Sequence, residues 1–280
     1  MSAPDDDRSL RSAAAVEPLG PGRYGATLSE YYNVVGHPNG GYLQCVMANG
    51  ALAAATAEGA HHLHAISIAT TYATTPEPGP VELVCEVRRV GRAVSFVHVT
   101  LIQDDVMRVE SLVTLGILKE DSTARYMDAT APELAPLNEC RQAAPTDEIN
   151  LLRVVDVHLD RSVVDWRTGE LSETGEVRGW VRLNDGDSSW DALSVLFACD
   201  VMPPATFPLG SSGWVPTLTM TSYVRRIPRG EWLKARQWCL VIADGTVDER
   251  CELFDERGEL VAWSSQLAMV RFPGGHQGRS

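Results

Sequence analysis

Asp200, Thr217 and Gln266 are polar residues set in stretches that otherwise read as apolar or strand-forming, and their types suit proton transfer and hydrogen bonding inside a closed site. Asp200 lies in Leu193-Ser194-Val195-Leu196-Phe197-Ala198-Cys199-Asp200-Val201-Met202, a helical stretch that must end or kink at Pro203-Pro204. A carboxylate in the last helical turn faces the negative end of the helix dipole, and apolar surroundings also oppose its ionisation. Its pKa is therefore expected to rise toward neutrality, where a carboxylate serves as a general base. The plainer reading is a carboxylate that caps or snorkels at the helix end. In the run from Val215 to Tyr223, strand alternation places Thr217, Thr219 and Thr221 on one face. Such a row is either a threonine ladder open to solvent or a polar face turned toward the helix of Asp200. Gln266 stands in the strand-like run from Val261 to Arg271, where a buried amide must find partners for its donors and its acceptor; a water is one such partner.

The elements that must position these residues occur twice. A stretch apolar nearly all round, residues 42–55, follows the loop Gly36-His37-Pro38-Asn39-Gly40-Gly41 and reads as a buried helix. A second, residues 190–202, follows a polar turn, with Ser188 or Ser189 as its cap and Asp191 in its first turn. β-branched content and bounding turns predict strands over 64–75, 81–92, 93–103 and 107–118 after the first helix, and over 215–226, 231–243, 246–255 and 259–272 after the second. Opening strands are expected within 22–35, 154–159 and 176–183. Laying Leu43 on Leu193 puts Gly50 opposite Asp200 and Ser67 opposite Thr217, while nothing in the first copy answers Gln266. One buried helix wrapped by a long antiparallel sheet, repeated, is an α+β architecture, a double hotdog. The expected boundaries are a disordered tail over 1–20, an N-terminal hotdog over 21–118, a polar linker over 119–147, a C-terminal hotdog over 148–274 and a tail over 275–280.

Composition excludes several classes. The chain carries a formal net charge of −13, from 24 Lys and Arg against 37 Asp and Glu, which argues against a nucleic-acid partner. No stretch approaches the apolar length that spans a membrane, and residues 1–13 lack the basic start and apolar core of a secretory signal. A cytoplasmic protein is expected, its six scattered cysteines reading as reduced core thiols. His61-His62-Leu63-His64 has no neighbouring Cys or acid to complete a ligand set, so no metal is expected; a Gly-x-Ser-x-Gly elbow and a P-loop are also absent. Basic residues cluster at equivalent places in the two copies, at Arg88-Arg89 with Arg92 and at Arg225-Arg226 with Arg229, Lys234 and Arg236. They are either solvated strand ends or a landing site for a small phosphorylated ligand.

The sequence resembles the TesB-type acyl-CoA thioesterases and the thioesterase-like proteins of the double-hotdog superfamily. The resemblance is carried by Gly36-His37-Pro38-Asn39-Gly40-Gly41-Tyr42, Phe197-Ala198-Cys199-Asp200, Pro216-Thr217-Leu218-Thr219 with Arg225-Arg226, and Val261-Ala262-Trp263-Ser264-Ser265-Gln266. It implies hydrolysis of acyl-CoA to fatty acid and CoA, with a nucleophilic water held by Asp200, Thr217 and Gln266 and no covalent intermediate. Many relatives have an aspartate where this chain has Thr219, which leaves Thr217 and Thr219 as alternative water holders, and better-studied members carry Gly-Gly-Gln where this chain has Gly40-Gly41-Tyr42. The backbone N–H groups of Gly40, Gly41 and Tyr42 are the expected oxyanion donors, the plainer alternative being a tight turn that merely needs glycine. Arg225, Arg226, Arg88 and Arg92 are the candidate CoA contacts. No cofactor beyond the CoA thioester substrate is expected, and a homodimer or higher homo-oligomer is. Trp190, Phe197, Met202, Phe207, Trp214 and Met220 are expected to close the acyl tunnel. A non-catalytic acyl-CoA or lipid-binding protein is the alternative; an enoyl-CoA hydratase or dehydratase is disfavoured, because its His five residues after the Asp is Ala205 here.

Overall fold

The chain opens with a single helical turn, α1 (Leu10–Ala13), then β1 (Glu17–Gly20), β2 (Arg23–Leu28) and the short pair β3 (Asn33–Val34) and β4 (His37–Pro38). The buried helix α2 (Gly40–Ala57) follows, then β5 (His64–Tyr72), β6 (Gly79–Val90), β7 (Ser95–Gln103) and β8 (Val106–Gly116). The second half contains β9 (Arg141–Gln142), β10 (Val155–Leu159), β11 (Glu176–Leu183), α3 (Ala192–Ala198), β12 (Thr217–Val224), β13 (Leu233–Ala243), β14 (Thr246–Phe254) and β15 (Leu260–Met269). The computed structural model describes residues 8–119, 123–161, 171–186 and 189–273.

Local chemistry explains where the two helices begin and end. The Asn39 side chain accepts the N–H of Tyr42 at the start of α2, and Gly59, at φ +87°, turns the chain at its end. Small residues let α2 lie close on the sheet: a Cβ on Gly50 would stand 2.8 Å from Leu83 Cδ1. The second helix is shorter than the expected 190–202, and Asp191 is its cap rather than Ser189; Ser188 lies outside the described residues. The Asp191 carboxylate accepts the Ser194 N–H at 2.8 Å, while the Ser194 hydroxyl accepts the Asp191 N–H at 2.8 Å. Asp191 therefore closes the first turn from outside it.

Among the described residues, 13 strands form one antiparallel sheet in the order β1-β2-β6-β7-β8-β5-β12-β15-β14-β13-β11-β10-β9. Its two halves repeat one arrangement, β2-β6-β7-β8-β5 and β11-β13-β14-β15-β12, joined where β5 pairs with β12. This is the double hotdog. A buried polar cluster closes the seam. Gln44, fully enclosed on α2, donates to Thr70 Oγ1 at 3.1 Å and the Met220 carbonyl at 3.3 Å and accepts the Ser222 hydroxyl at 2.7 Å. A helix residue is thereby tied to both central strands with its amide satisfied.

Two expected boundaries shift. The tail expected over 1–20 is ordered from residue 8: Leu10, Ala13 and Ala14 are buried, and β1 pairs with β2. The reason is aromatic. Tyr32 and Tyr42 stack at 4.5 Å beneath this segment, and their hydroxyls donate to the carbonyls of Arg8 at 2.7 Å and Ala13 at 2.6 Å. Residues 1–7 and the expected tail over 275–280 lie outside the described residues. The end of the linker joins the second half of the sheet, with β9 pairing with β10 and Ala143 buried. The six cysteines are all unpaired.

Candidate active site

Asp200 follows Cys199, the capping residue of α3, and faces the start of α2. The Gly41 N–H donates to its Oδ2 at 3.0 Å, and Asn39 Nδ2 donates to Oδ2 at 2.9 Å and to the Asp200 carbonyl at 2.8 Å. The close approach needs glycine: a Cβ on Gly41 would stand 2.8 Å from the Phe197 carbonyl and 2.9 Å from Asp200 Cβ. Burial pushes the Asp200 pKa up to about 7 against the pull of these donors, and the charge of Glu249 adds to the rise. From the sequence, the Asp200 carboxylate is expected to meet the unfavourable end of its own helix. In the structure the carboxylate instead meets the favourable start of the opposite helix, and desolvation outweighs it.

Thr217 reaches the same cavity because of an irregularity in β12. The register with β15 shifts between Thr217 and Thr219, so the two do not share a face as alternation predicts. Thr219 is exposed. Thr217 lines the cavity, and its hydroxyl donates to Gln266 Oε1 at 3.1 Å. Gln266 Nε2 in turn donates to Glu249 Oε2 at 2.7 Å. Glu249, 1% exposed, also accepts the Ala205 N–H at 2.7 Å and Gln237 Nε2 at 3.3 Å. Burial raises its pKa, partly offset by these three donors.

Asp200, Thr217, Gln237, Glu249 and Gln266 line one cavity of about 360 Å³, within the range of small-molecule sites. Much of the remaining wall is apolar, including Leu43, Ile149, Leu151, Leu152 and Val157. Of the residues expected to close a tunnel, Met202, Phe207 and Trp214 line the cavity; Trp190, Phe197 and Met220 do not. Phe197 packs into the core edge-on to Tyr32 at 5.2 Å, and Met220 is buried beneath the seam. Their places are taken by the linker end and β10, whose irregular pattern gives no such signal.

The expected oxyanion donors have other partners. Tyr42, fully buried, donates its N–H to Asn39 Oδ1 at 3.0 Å, the Gly41 N–H goes to Asp200, and Gly40 also contributes a backbone hydrogen bond to that carboxylate. This helix start holds Asp200. Nor do Arg88, Arg92, Arg225 and Arg226 line the cavity. Arg225 and Arg226 follow the far end of β12 from Thr217, roughly 25 Å away at about 3.3 Å per residue. Arg226 pairs with Glu259 and Arg88 with Glu86.

Sequence reasoning missed Asn39, Tyr72, Gln237 and Glu249. A signal existed for two of them. Glu249 occupies the inward register of Val247, Cys251 and Leu253 on β14, and Gln237 that of Leu233 and Ala235 on β13, so each is a polar residue in a buried row. Tyr72 donates to the Gly40 carbonyl at 2.9 Å, and an added Cβ on Gly40 would touch both its hydroxyl, at 3.0 Å, and Asp200 Oδ2, at 2.9 Å. The three-residue histidine cluster serves the fold: His62 bonds the Ser95 hydroxyl at 3.0 Å, and His64 Nδ1 accepts the Leu118 N–H at 3.0 Å.

A hotdog repeat with a carboxylate, a hydroxyl and an amide around an apolar cavity defines the class, and comparison defines the family. Residues 28–116 match the acyl-CoA thioesterase N-terminal domain and residues 131–270 the acyl-CoA thioesterase C-terminal domain, so the chain belongs to the acyl-CoA thioesterase family. A candidate thioesterase II from Thermobifida fusca YX is 33% identical, with a TM-score of 0.84 over 94% of this chain and 97% of that one. A hotdog protein of unknown function from Alicyclobacillus acidocaldarius, 19% identical, superposes with a TM-score of 0.80 over 94% and 98% of the two chains. An uncharacterized protein of Mycobacterium tuberculosis is 28% identical over 261 residues, covering 87% of this chain and 89% of its own.

Proposed function

We propose that this chain hydrolyses acyl-CoA thioesters with Asp200 as general base, without a covalent intermediate. The observation that carries the reading is one cavity holding a carboxylate of pKa about 7 beside the linked pair Thr217 and Gln266. Asp200 takes a proton from a water that Thr217 and Gln266 orient, and the hydroxide attacks the thioester carbonyl. The C–S bond then breaks. The thiolate leaves with little acid assistance, since a thiol pKa is about 8.5, and it recovers the proton as CoA forms. Because the start of α2 holds Asp200, the negative charge on the carbonyl oxygen falls to donors on the wall. Burial keeps the Tyr72 phenol protonated, and its hydroxyl, which donates to the Gly40 carbonyl, turns to the oxyanion when substrate enters. Replacing Tyr72 with Phe should lower kcat about tenfold to a hundredfold.

The test is CoA release from short-, medium- and long-chain acyl-CoAs, with the melting temperature read in parallel. A hydrolase releases CoA from at least one of them. Stabilisation by acyl-CoA without release would make the chain a binding protein.

A further inference from the structure

Glu249 is enclosed in the cavity wall with no cation paired to it among the described residues, and every hydrogen bond it makes comes from a donor. With both oxygens accepting, the Gln266 amide has one choice: its nitrogen turns to Glu249 and its oxygen to Thr217. The Thr217 proton is then engaged by Gln266, and the hydroxyl has only lone pairs left for the cavity.

We propose that Glu249 is a positioning residue that sets the direction of the hydrogen-bond chain Thr217–Gln266–Glu249, so that Thr217 and the Gln266 oxygen meet the reacting water as acceptors. That water then donates one proton to Asp200 and the other to this pair, leaving a lone pair for the carbonyl. The proposal rests on the reading of Asp200 as general base. Glu249 acts on Asp200 as well, through its charge. The titratable groups around it are Asp200, Asp248, Cys239 and Cys251; its hydrogen-bond partners Gln237, Gln266 and the Ala205 amide are neutral. Loss of the Glu249 charge moves the Asp200 titration to lower pH.

Two substitutions separate these effects. Glu249→Gln removes the charge, and its single oxygen cannot serve donors on both sides. It should lower kcat about tenfold to a hundredfold with KM little changed, and shift the acid limb of the kcat profile to lower pH. Glu249→Asp keeps the charge but shortens the reach to Gln266, so kcat should fall with the acid limb in place. Carbon-detected NMR titration of the Asp200 carboxyl reads the charge effect without turnover, and side-chain amide exchange of Gln266 reads the hydrogen bond. Wild type inactive on every acyl-CoA would sink the hydrolase reading, yet the two NMR measurements would still decide on Glu249. Folded variants with wild-type kcat, acid limb and Gln266 exchange would overturn the proposal. So would a loss from Glu249→Gln that recurs in full in a Gln266→Ala background, since Glu249 would then not act through Gln266. If Glu249→Gln does not fold, Glu249→Asp and the NMR of wild type decide.

Discussion

A carboxylate at Asp200 is held between opposing effects: burial opposes its charge, and three donors at the start of α2 favour it. Burial wins. A group whose pKa rises from 3.8 unfolded to about 7 folded contributes stability that is whole below the unfolded value and lost as pH climbs through the folded one. Asp200→Asn, neutral throughout, should therefore melt higher than wild type at about pH 8 and lose that advantage by about pH 4. Thermal melts across that range check the sign. The register shift in β12 makes a second prediction at this scale. Thr217→Ala should lower kcat at least about tenfold by freeing Gln266 and the water it helps to hold, whereas Thr219→Ala, on the exposed face, should leave kcat unchanged.

The start of α2 and the end of α3 form one unit, and Gly41 is its contact point. Gly41→Ala pushes a methyl into the Phe197 carbonyl and Asp200 Cβ, each under 3 Å away, and neither can give way without parting the two segments. A loss of about 1–3 kcal/mol in stability is expected, with a larger fractional loss of activity because Asp200 loses its anchor; chemical denaturation and kcat read the two separately. Much of this level was legible beforehand. An all-round apolar stretch located α2, β-branched content with bounding turns located the eight strands that follow the two helices, and apolar neighbours marked Asp200 and Gln266. The position of Thr217 was not legible, because strand alternation assumes no bulge and the bulge inverts it. The role of Gly40 and Gly41 was also hidden. Glycines before a helix suit an anion from outside, and only the fold shows that the anion is Asp200 from the other half.

At the scale of the whole molecule, duplication puts Asp200 on one hotdog and its anchor on the other. The seam between β5 and β12 and the Gln44 cluster hold the halves in register. The first copy keeps a long helix but has Gly50 where the second has Asp200, so it supplies support and no second carboxylate at that place. The linker brings Ala143 to the cavity wall, and the first residues of the second hotdog add Ile149, Leu151 and Leu152. Leu152→Trp should shorten the preferred acyl chain, with the change confined to KM and chain-length ranking on an acyl-CoA panel. Among the described residues the two strands that end the sheet are short, β1 with four residues and β9 with two. Sedimentation of the full chain reads whether copies associate.

The most direct measurement is the pH dependence of CoA release by wild type and Asp200→Asn on the best substrate of the panel. Wild-type kcat should rise with pH through an acid limb near 7, and the Asn variant should be slower by at least about a hundredfold, with no such limb. An Asn variant that keeps both the wild-type rate and the limb would show that Asp200 is not the base.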